Sequence, residues 1–370
     1  MPDIRPFGRD DTDAVVALLQ GHMRRWTLNA GLLAGLLLES PWSDPELPSL
    51  VAVDGGEIIG FTGVQVRRMR FDGRPILGVH SGHGVVSPDR RGGATGALLI
   101  GRALSGSQYL TWSDGASDPV AAVFRTFGGQ LDHSRACDWM LVLRPARWLS
   151  SVTRAVVQRS ARERAALRSL VPVGALPFQA VSSGLMRRAL PESAVRAKLD
   201  ARAGAEITGE DASAATIVEH LPALNKGLRL WVDYDKEYLE HLFGLVRNFH
   251  GLDSFKGPLF CRLVRRGDRP IGWYAYVARS GGASRVLHLQ ATKREPEAVL
   301  SELISHARAQ GSAALAGRAE PHLYPALRHR LAVLGYARQP MIVAKDPELA
   351  AVIATSSAVV TRLDGDLFSI

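Results

Sequence analysis

One order of predicted elements occurs twice along this chain of 370 residues. Between residues 3 and 143, the spacing of apolar and turn residues predicts a strand, two helices, three strands, a glycine-rich loop, a helix, a strand, a helix and a last strand. A similar order returns after residue 200 without the glycine-rich loop, and the hairpin turn Arg266-Gly267-Asp268 corresponds to Asp54-Gly55-Gly56. The sequence therefore predicts a tandem duplication of one mixed α/β unit.

Size and composition are those of a globular chain with two domains. The residues are 22% charged and 46% hydrophobic, which allows a core in each of two domains of ordinary size. No apolar run reaches the roughly 20 residues that span a bilayer. The N-terminus leads into Asp10, Asp11 and Asp13 and lacks the pattern of a secretory signal, so we expect a cytoplasmic protein without a transmembrane segment. Cys137 and Cys261 lie far apart and are predicted to be buried thiols, with no disulfide and no zinc site.

The positive charge of the chain is concentrated in one segment. From Arg144 to Lys198 there are eleven basic and two acidic residues, an excess of nine that equals the net charge of the whole chain, +9. An amphipathic helix is predicted in the first part of this segment. It is either a linker between domains with a solvated arginine face, or a surface for an anionic partner such as a membrane, a polyanion or an acidic carrier protein.

A strand end, a glycine-rich turn and a helix start follow one another between Val86 and Leu99. In such a turn, successive backbone N–H groups and the positive end of the helix dipole point to one place, which favours a phosphate. Three glycines leave the backbone open to close approach, and Arg91 adds a positive charge. The spacing fits neither the GxxxxGK[ST] nucleotide loop nor the GxGxxG fingerprint.

Two stretches resemble motifs of the GNAT superfamily of N-acyltransferases. The run Arg91-Gly92-Gly93-Ala94-Thr95-Gly96 is similar to its acyl-CoA pyrophosphate loop, Gln/Arg-x-x-Gly-x-Gly/Ala, with Ala94 in place of the first diagnostic glycine. The run from Ala121 to Gly129 resembles its A-x-x-L-Y-x-x-x-G-F helix. The resemblance covers residues 3 to 143. For a tandem chain it implies two GNAT-like domains, each with a central, mostly antiparallel sheet flanked by helices.

The resemblance also implies where an acyl-CoA donor binds. Its pyrophosphate would lie on the backbone of the loop, and its pantetheine would pair with the strand end that precedes the loop. The corresponding positions are Gly84, Val85, Val86, Arg91, Gly92, Gly93, Ala94, Thr95 and Gly96. Acetyl-CoA is the expected co-substrate, other acyl-CoA donors stay open, and no metal is expected.

The candidate bases follow from departures from the superfamily. Many members carry a glutamate on the strand before the loop, where this chain has Gly82 and His83. A histidine, with an unperturbed pKa near ~6.5, can deprotonate an ammonium group at neutral pH. His83 is the first candidate base and Asp114 the second, although His83 and nearby His80 could be hydrogen-bonded only within the sheet and Asp114 could only form a turn. Phe124 replaces the tyrosine that often serves as general acid, and phenylalanine cannot donate a proton.

The second half lacks the phosphate loop. In place of the glycines it has residues 291–296, whose bulk and whose Glu295 disfavour a pyrophosphate. It resembles the degenerate partner domain of tandem-GNAT proteins, in which the acceptor occupies the cleft between the halves. Trp231, Asp233, Tyr234 and Asp235 could line such a cleft, or could form a helix cap with surface aromatic residues.

The predicted organisation has four parts. They are a GNAT-like domain at 1–145, a basic linker at 146–200, a degenerate GNAT-like domain at 201–348 and a C-terminal docking tail at 349–370. The closing residues 361–368 are expected to form a strand and a turn against one domain, with no assigned chemistry.

These features predict an N-acyltransferase that moves an acyl group from acyl-CoA to an amine by direct attack, in a cleft near the first domain. A small amine, an amino sugar and a peptide amine all stay open as acceptors. Two alternatives are a non-catalytic module that binds acyl-CoA or another anion, and a transferase whose donor is acyl carrier protein or aminoacyl-tRNA.

Overall fold

The computed structural model describes residues 2–22, 28–91, 93–148, 151, 207–252, 255–330, 332–336 and 338–368. Most of the basic segment, and Gly92 of the loop, therefore lie outside the described residues. In the described ranges the strands form two sheets flanked by helices, and most neighbouring strands are antiparallel. The predicted mixed α/β fold class is confirmed. No helix in these ranges is long and apolar enough to cross a membrane.

The first sheet is built mainly from the first half of the chain. Its strands from this half are β1 (Asp3–Pro6), β2 (Leu50–Asp54), β3 (Glu57–Phe71), β4 (Arg74–Val86), β5 (Leu110–Ser113) and β6 (Gln130–Leu131). β1 to β4 are antiparallel neighbours, whereas β4 and β5 run parallel. Two pairs of helices cover the sheet and contribute to separate hydrophobic cores. They are α1 (Thr12–His22) with α2 (Ala30–Leu37), and α3 (Thr95–Leu104) with α4 (Asp118–Thr126).

The second sheet repeats this arrangement with the second half of the chain. Its strands from this half are β8 (Ile207–Asp211), β10 (Leu259–Arg266), β11 (Arg269–Val277), β12 (Ala283–Ala291), β13 (Ala314–Arg318) and β14 (Val333–Tyr336). The helices of this half are α5 (Ala214–Leu224), α6 (Lys236–Asn248), α7 (Pro296–Ala309), α8 (Tyr324–His329) and α9 (Pro347–Val352). β12 and β13 run parallel, as β4 and β5 do in the first sheet.

The two halves exchange their last strands. β7 (Cys137–Val142) belongs to the first half, yet it lies between β13 and β14 in the second sheet. β15 (Met341–Ala344) belongs to the second half and lies between β5 and β6 in the first sheet. The sequence predicted that each of these strands completes its own half, and the pairing corrects this. The predicted boundaries at 145 and 201 therefore separate the halves along the sequence, but each sheet contains a strand of the other half.

Packing around Trp139 explains why β7 joins the second sheet. The indole is buried in the core of that sheet and donates a hydrogen bond to the carbonyl oxygen of Arg318 at 2.9 Å. Across the pair, Gly317 leaves room for it, because a Cβ there would lie 2.9 Å from the ring. The sequence pattern after β13 predicts a helix from Tyr324 to Leu334. In the structure this helix ends at His329, because Val333–Tyr336 pairs with β7 instead.

The C-terminal part of the chain also joins both halves. β9 (Leu230–Val232), which the sequence did not predict as a strand, pairs antiparallel with the end of β3 and parallel with β16 (Ala358–Val359). A short 3-10 turn at Arg362–Asp364 follows and packs on β12. One hydrophobic core then contains residues of the first half, of the second half and of this tail, such as Trp112, Phe243 and Phe368. The tail thus lies against both halves, where the sequence predicted contact with one.

Candidate active site

The parallel strands β4 and β5 separate towards one end of the first sheet. They pair only from Gly78 with Leu110 to His80 with Trp112. Beyond His80, β4 continues for six residues to Val86 without β5 beside it. The edge of β4 along Gly84, Val85 and Val86 therefore faces an opening between the two strands, at the positions predicted for pantetheine.

A β-bulge shapes β4 beside this opening. Gly82 pairs with Gly63 of β3, but Val85 pairs with Phe61, so β4 contains one extra residue in this interval. His83 lies in the bulge with φ 57°, a left-handed conformation that is uncommon outside glycine. A bulge changes the direction of side chains and interrupts strand pairing. The bulge therefore places the first candidate base where β4 departs from regular pairing.

The glycine-rich loop lies at the end of the same strand. α3 begins at Thr95, and its N-cap, Ala94, makes no side-chain capping hydrogen bond. The N-cap side chain therefore occupies none of the free backbone N–H groups at the positive end of the helix. A Cβ at Gly93 or at Gly96 would meet no atom closer than 3.5 Å, so neither glycine is needed for local packing. Arg91 is exposed, and its Nε donates to the carbonyl oxygen of Val86 at 3.2 Å. The described loop residues thus leave an accessible helix N-terminus beside a cation.

His83 itself is largely enclosed. Its side chain is 6% exposed, and its Nδ1 lies 4.0 Å from Oδ1 of Asp366, a residue of the C-terminal tail. Burial lowers the pKa of His83, and the charge of Asp366 opposes that effect. The imidazole is therefore neutral, and able to accept a proton, at physiological pH.

His80, three residues earlier on β4, has a different environment. It is fully buried, and its Nδ1 lies 3.2 Å from Nε2 of Gln65, which donates to it. Burial lowers the pKa of His80 to about 4. A neutral histidine without solvent access is a structural group of the sheet. His80 is therefore not a candidate for contact with an acyl-accepting substrate.

Asp114 forms a buried ion pair between the halves. Its two carboxylate oxygens accept from Arg318 of β13 at 2.7 and 2.5 Å. Burial alone would raise the pKa of Asp114, but the attraction of Arg318 and of nearby His80 holds it far below its usual range. Protonation of this carboxylate would break a buried ion pair, which opposes a role as the base. Asp114 is therefore engaged in this ion pair, and the proposal of a base rests on His83.

The C-terminal tail contributes groups that the sequence analysis did not assign to the site. Asp366 donates its backbone N–H to Asp114 at 2.7 Å, and the carbonyl oxygen of Asp364 accepts from Arg67 at 2.8 Å. Tyr234 donates its hydroxyl to the carboxylate of Asp364. The signal in the sequence is weak, since Asp-Gly-Asp between apolar residues is equally typical of a surface turn.

The four residues proposed to line a cleft have separate roles. Asp235 is the N-cap of α6, as the alternative interpretation had it, and Asp233 accepts from Arg70 at 2.7 Å. Tyr234 is buried beneath the tail, so it is not a surface aromatic residue. Trp231 lies in β9 and pairs with β3.

The equivalent opening in the second sheet contains the chain's own tail. β12 pairs with β13 only from Ala283 to Arg285, so these strands also separate. The 3-10 turn of the tail packs on β12 there, and Thr361 lies 3.0 Å from Nδ1 of the buried His288. Glu295, at the start of α7, accepts hydrogen bonds from Arg266 and Arg269. These contacts agree with the sequence prediction that the second half lacks a donor loop.

Comparison with known proteins identifies the architecture. No protein-family model matches the sequence, and no curated protein matches it. Among solved structures, a GCN5-related N-acetyltransferase from Anabaena variabilis matches 94% of this chain and 74% of its own, with a TM-score of 0.58 at 10% identity. The chain has the GNAT fold. The separated strands, the bulge and the loop therefore lie in a GNAT framework, as the resemblance of the two motifs implied.

Two further structures extend the likeness. A probable N-acyltransferase from Enterococcus faecalis matches 93% of this chain and 73% of its own, with a TM-score of 0.56 at 9% identity. An N-myristoyltransferase from Saccharomyces cerevisiae, solved with bound myristoyl-CoA, matches 93% and 79% with a TM-score of 0.53 at 12% identity. Because these matches cover both halves, the likeness includes the second half, which lacks the loop.

Proposed function

We propose that the protein is an N-acyltransferase that takes an acyl group from acyl-CoA and transfers it to an amine. The observation that carries this proposal is the opening between β4 and β5, which ends at the accessible N-terminus of α3. An extended thioester donor needs an unpaired strand edge for its amides and a positive helix end for its phosphates. The three matching structures named above, a GCN5-related N-acetyltransferase, a probable N-acyltransferase and an N-myristoyltransferase, support the same class of reaction.

The donor would bind through the first half. Its pyrophosphate would accept hydrogen bonds from the backbone of residues 92–96 and pair with the guanidinium of Arg91. Its pantetheine amides would pair with the edge of β4 at Gly84, Val85 and Val86. We take acetyl-CoA as the first donor to test, and longer acyl groups as the alternative that the myristoyl-CoA complex suggests.

The acyl transfer would follow direct attack. His83 would accept the proton of the amine as its nitrogen forms the bond to the thioester carbonyl carbon. The tetrahedral intermediate would then collapse and break the carbon–sulfur bond. Phe124 is 1% exposed and packs against Ala121 and Met341, so it supplies no proton to the leaving group. A thiol has a pKa near ~8.5, so CoA can depart as a thiolate that water protonates.

Donor binding is tested with Gly93→Glu. The new carboxylate would lie at the pyrophosphate position, and we expect at least a hundredfold loss of CoA affinity by calorimetry, since like charges at a closely packed anion site repel strongly. Gly21→Glu is the matched control, because Gly21 is exposed on α1 and a Cβ there meets nothing within 4 Å. Unchanged CoA affinity in Gly93→Glu would remove the loop from the donor site.

Release of free thiol with a panel of small amines, amino sugars and peptides separates catalysis from binding alone. The absence of a tyrosine at Phe124 favours the alternative of a non-catalytic acyl-CoA module, which would bind CoA without releasing thiol. The basic segment from Arg144 to Lys198 favours a macromolecular anionic donor or surface, such as acyl carrier protein or aminoacyl-tRNA. Affinity for such a partner would fall steeply with salt, whereas affinity for acetyl-CoA would change less.

A further inference from the structure

We propose that Asp366 of the C-terminal tail is a positioning residue for His83. The second half of the chain holds Asp366 in place through the buried ion pair of Asp114 and Arg318. This inference rests on the proposed function, in which His83 is the base. It gives the second half a part in the reaction although that half lacks a donor loop.

The first step of the argument is the contact between the tail and Asp114. Arg318 of β13 donates hydrogen bonds to both carboxylate oxygens of Asp114. One of these oxygens, Oδ2, also accepts the backbone N–H of Asp366 at 2.7 Å. Gly365 lies so close that a Cβ there would be 1.9 Å from this oxygen. Only glycine fits at that position, so the ion pair fixes the backbone immediately before Asp366.

A second set of contacts fixes the tail on its other side. Arg67 is 2% exposed, and its Nε donates to the carbonyl oxygen of Asp364 at 2.8 Å. The carboxylate of Asp364 accepts from the backbone N–H of Thr361 at 2.6 Å and from the hydroxyl of Tyr234. Residues of both halves therefore hold the 361–366 segment, which leaves little freedom to the side chain that follows.

The third step is the position of the carboxylate. Oδ1 of Asp366 lies 4.0 Å from Nδ1 of His83, and the two side chains are 22% and 6% exposed. Besides His83, the charged or titratable groups among the described residues that act on Asp366 include His80, Asp114, Arg338 and Arg285. His80 is neutral at physiological pH and Asp114 is neutralised by Arg318, so Arg338 and Arg285 are the charges that oppose the effect of Asp366 on His83.

The chemical consequence concerns the imidazolium. When His83 takes a proton from the attacking amine, it becomes a cation in a site with little water. A carboxylate about 4 Å away stabilises that cation and also favours one orientation of the ring. Asp366 does not touch the reacting atoms, and the proton stays on His83 until solvent removes it.

The test compares Asp366→Asn and Asp366→Ser with wild type in an acyl-transfer assay across pH. Both variants keep the backbone N–H that Asp114 accepts but lose the charge. We expect the acidic limb of the pH–kcat profile to shift to lower pH by about one unit, because loss of the carboxylate lowers the pKa of His83. We also expect kcat at the plateau to fall roughly three- to tenfold, because His83 becomes a weaker base. Asp268→Asn, in the exposed turn between β10 and β11, controls for loss of one negative charge.

The variant His83→Gln separates this inference from the proposed function. If His83→Gln is inactive while Asp366→Asn and Asp366→Ser keep the wild-type limb, His83 remains the base and Asp366 has no positioning role. If His83→Gln keeps wild-type activity and pH profile, the assignment of the base is wrong, and the inference falls with it. CoA affinity, measured in each variant, reports whether the first half has folded, and Asp366→Ser serves if Asp366→Asn does not fold.

Discussion

At the scale of single residues, the most informative one is His83, whose backbone is left-handed at φ 57°. A side chain in this region costs about 1 to 2 kcal/mol relative to the right-handed region. The protein keeps this unfavourable conformation in the bulge that faces the opening between β4 and β5. Such an outlier is typical of a functional site, where surrounding structure holds a residue against its own preference.

A pair of substitutions at this position tests that interpretation. Glycine has no penalty at positive φ, whereas alanine does, so we expect His83→Gly to be more stable than His83→Ala by about 1 kcal/mol. Chemical denaturation measures the difference, and both variants should lack transferase activity. At Val79, which is in regular strand geometry on β4, the same comparison should favour alanine. Greater stability of His83→Ala would mean that the bulge relaxes in solution.

A second residue, Glu320, predicts how stability varies with pH. It is 4% exposed, and burial raises its pKa to about 8 in spite of nearby Arg318. A carboxyl group with a raised pKa in the folded state stabilises the fold below its unfolded pKa, 4.5, and this contribution is lost as pH rises through 8. Glu320→Gln keeps a neutral side chain at every pH, so the variant does not lose this stability as pH rises.

We therefore expect the melting temperature of Glu320→Gln to exceed that of wild type by several degrees at pH 8 and to match it near pH 5. Glu348→Gln is the control on the surface, because Glu348 is a 60% exposed partner of Arg229. A difference between Glu320→Gln and wild type that is the same at both pH values would show that Glu320 does not titrate with folding.

The sequence was informative for residues whose neighbours are close along the chain. The strand end, turn and helix start between Val86 and Leu99 could be predicted because they follow one another within fourteen residues. Arg318 and Asp366 could not, because their partner Asp114 is 204 and 252 positions away. Nothing local distinguishes a buried arginine that binds a distant carboxylate from one on the surface.

At the scale of elements, the exchange of β7 and β15 has the largest consequence. Each strand pairs on both sides in the other half's sheet, so each half, when it is alone, lacks the strand that lies second from one edge of its sheet. Periodicity predicted these strands correctly because it reports which residues face a core. It does not report which sheet the strand joins, so the exchange could not be predicted.

The exchange predicts how fragments behave. Fragments 1–148 and 207–370, expressed together, should co-purify as a folded complex that binds CoA, because β7 and β15 restore both sheets. Fragment 1–136, which lacks β7, should not retain its partner and is the matched control. Recovery of fragment 1–148 alone as a cooperatively folding monomer with CoA affinity would contradict the exchange.

At the scale of the whole molecule, the two halves behave as one body. A single core joins Phe7 to Phe368, and buried ion pairs such as Asp114 with Arg318 connect the sheets. The duplication that the sequence predicts therefore concerns the order of elements along the chain, and not two independent folding units. The tail packs on β12 where β12 and β13 separate in the second sheet, whereas in the first sheet Gly84, on the edge of β4 beyond β5, is exposed.

The position of β15 in the sequence also determines how long the edge of β5 stays unpaired during synthesis on the ribosome. β5 ends at Ser113, but the strand that covers its free edge begins at Met341, about 230 residues later. At a translation rate of roughly 5 to 20 residues per second, the nascent first half waits about ten to fifty seconds with that edge unpaired. During this interval the exposed N–H and C=O groups of β5 can pair with another nascent chain. Faster initiation, which brings ribosomes closer together on the message, should therefore lower the soluble yield.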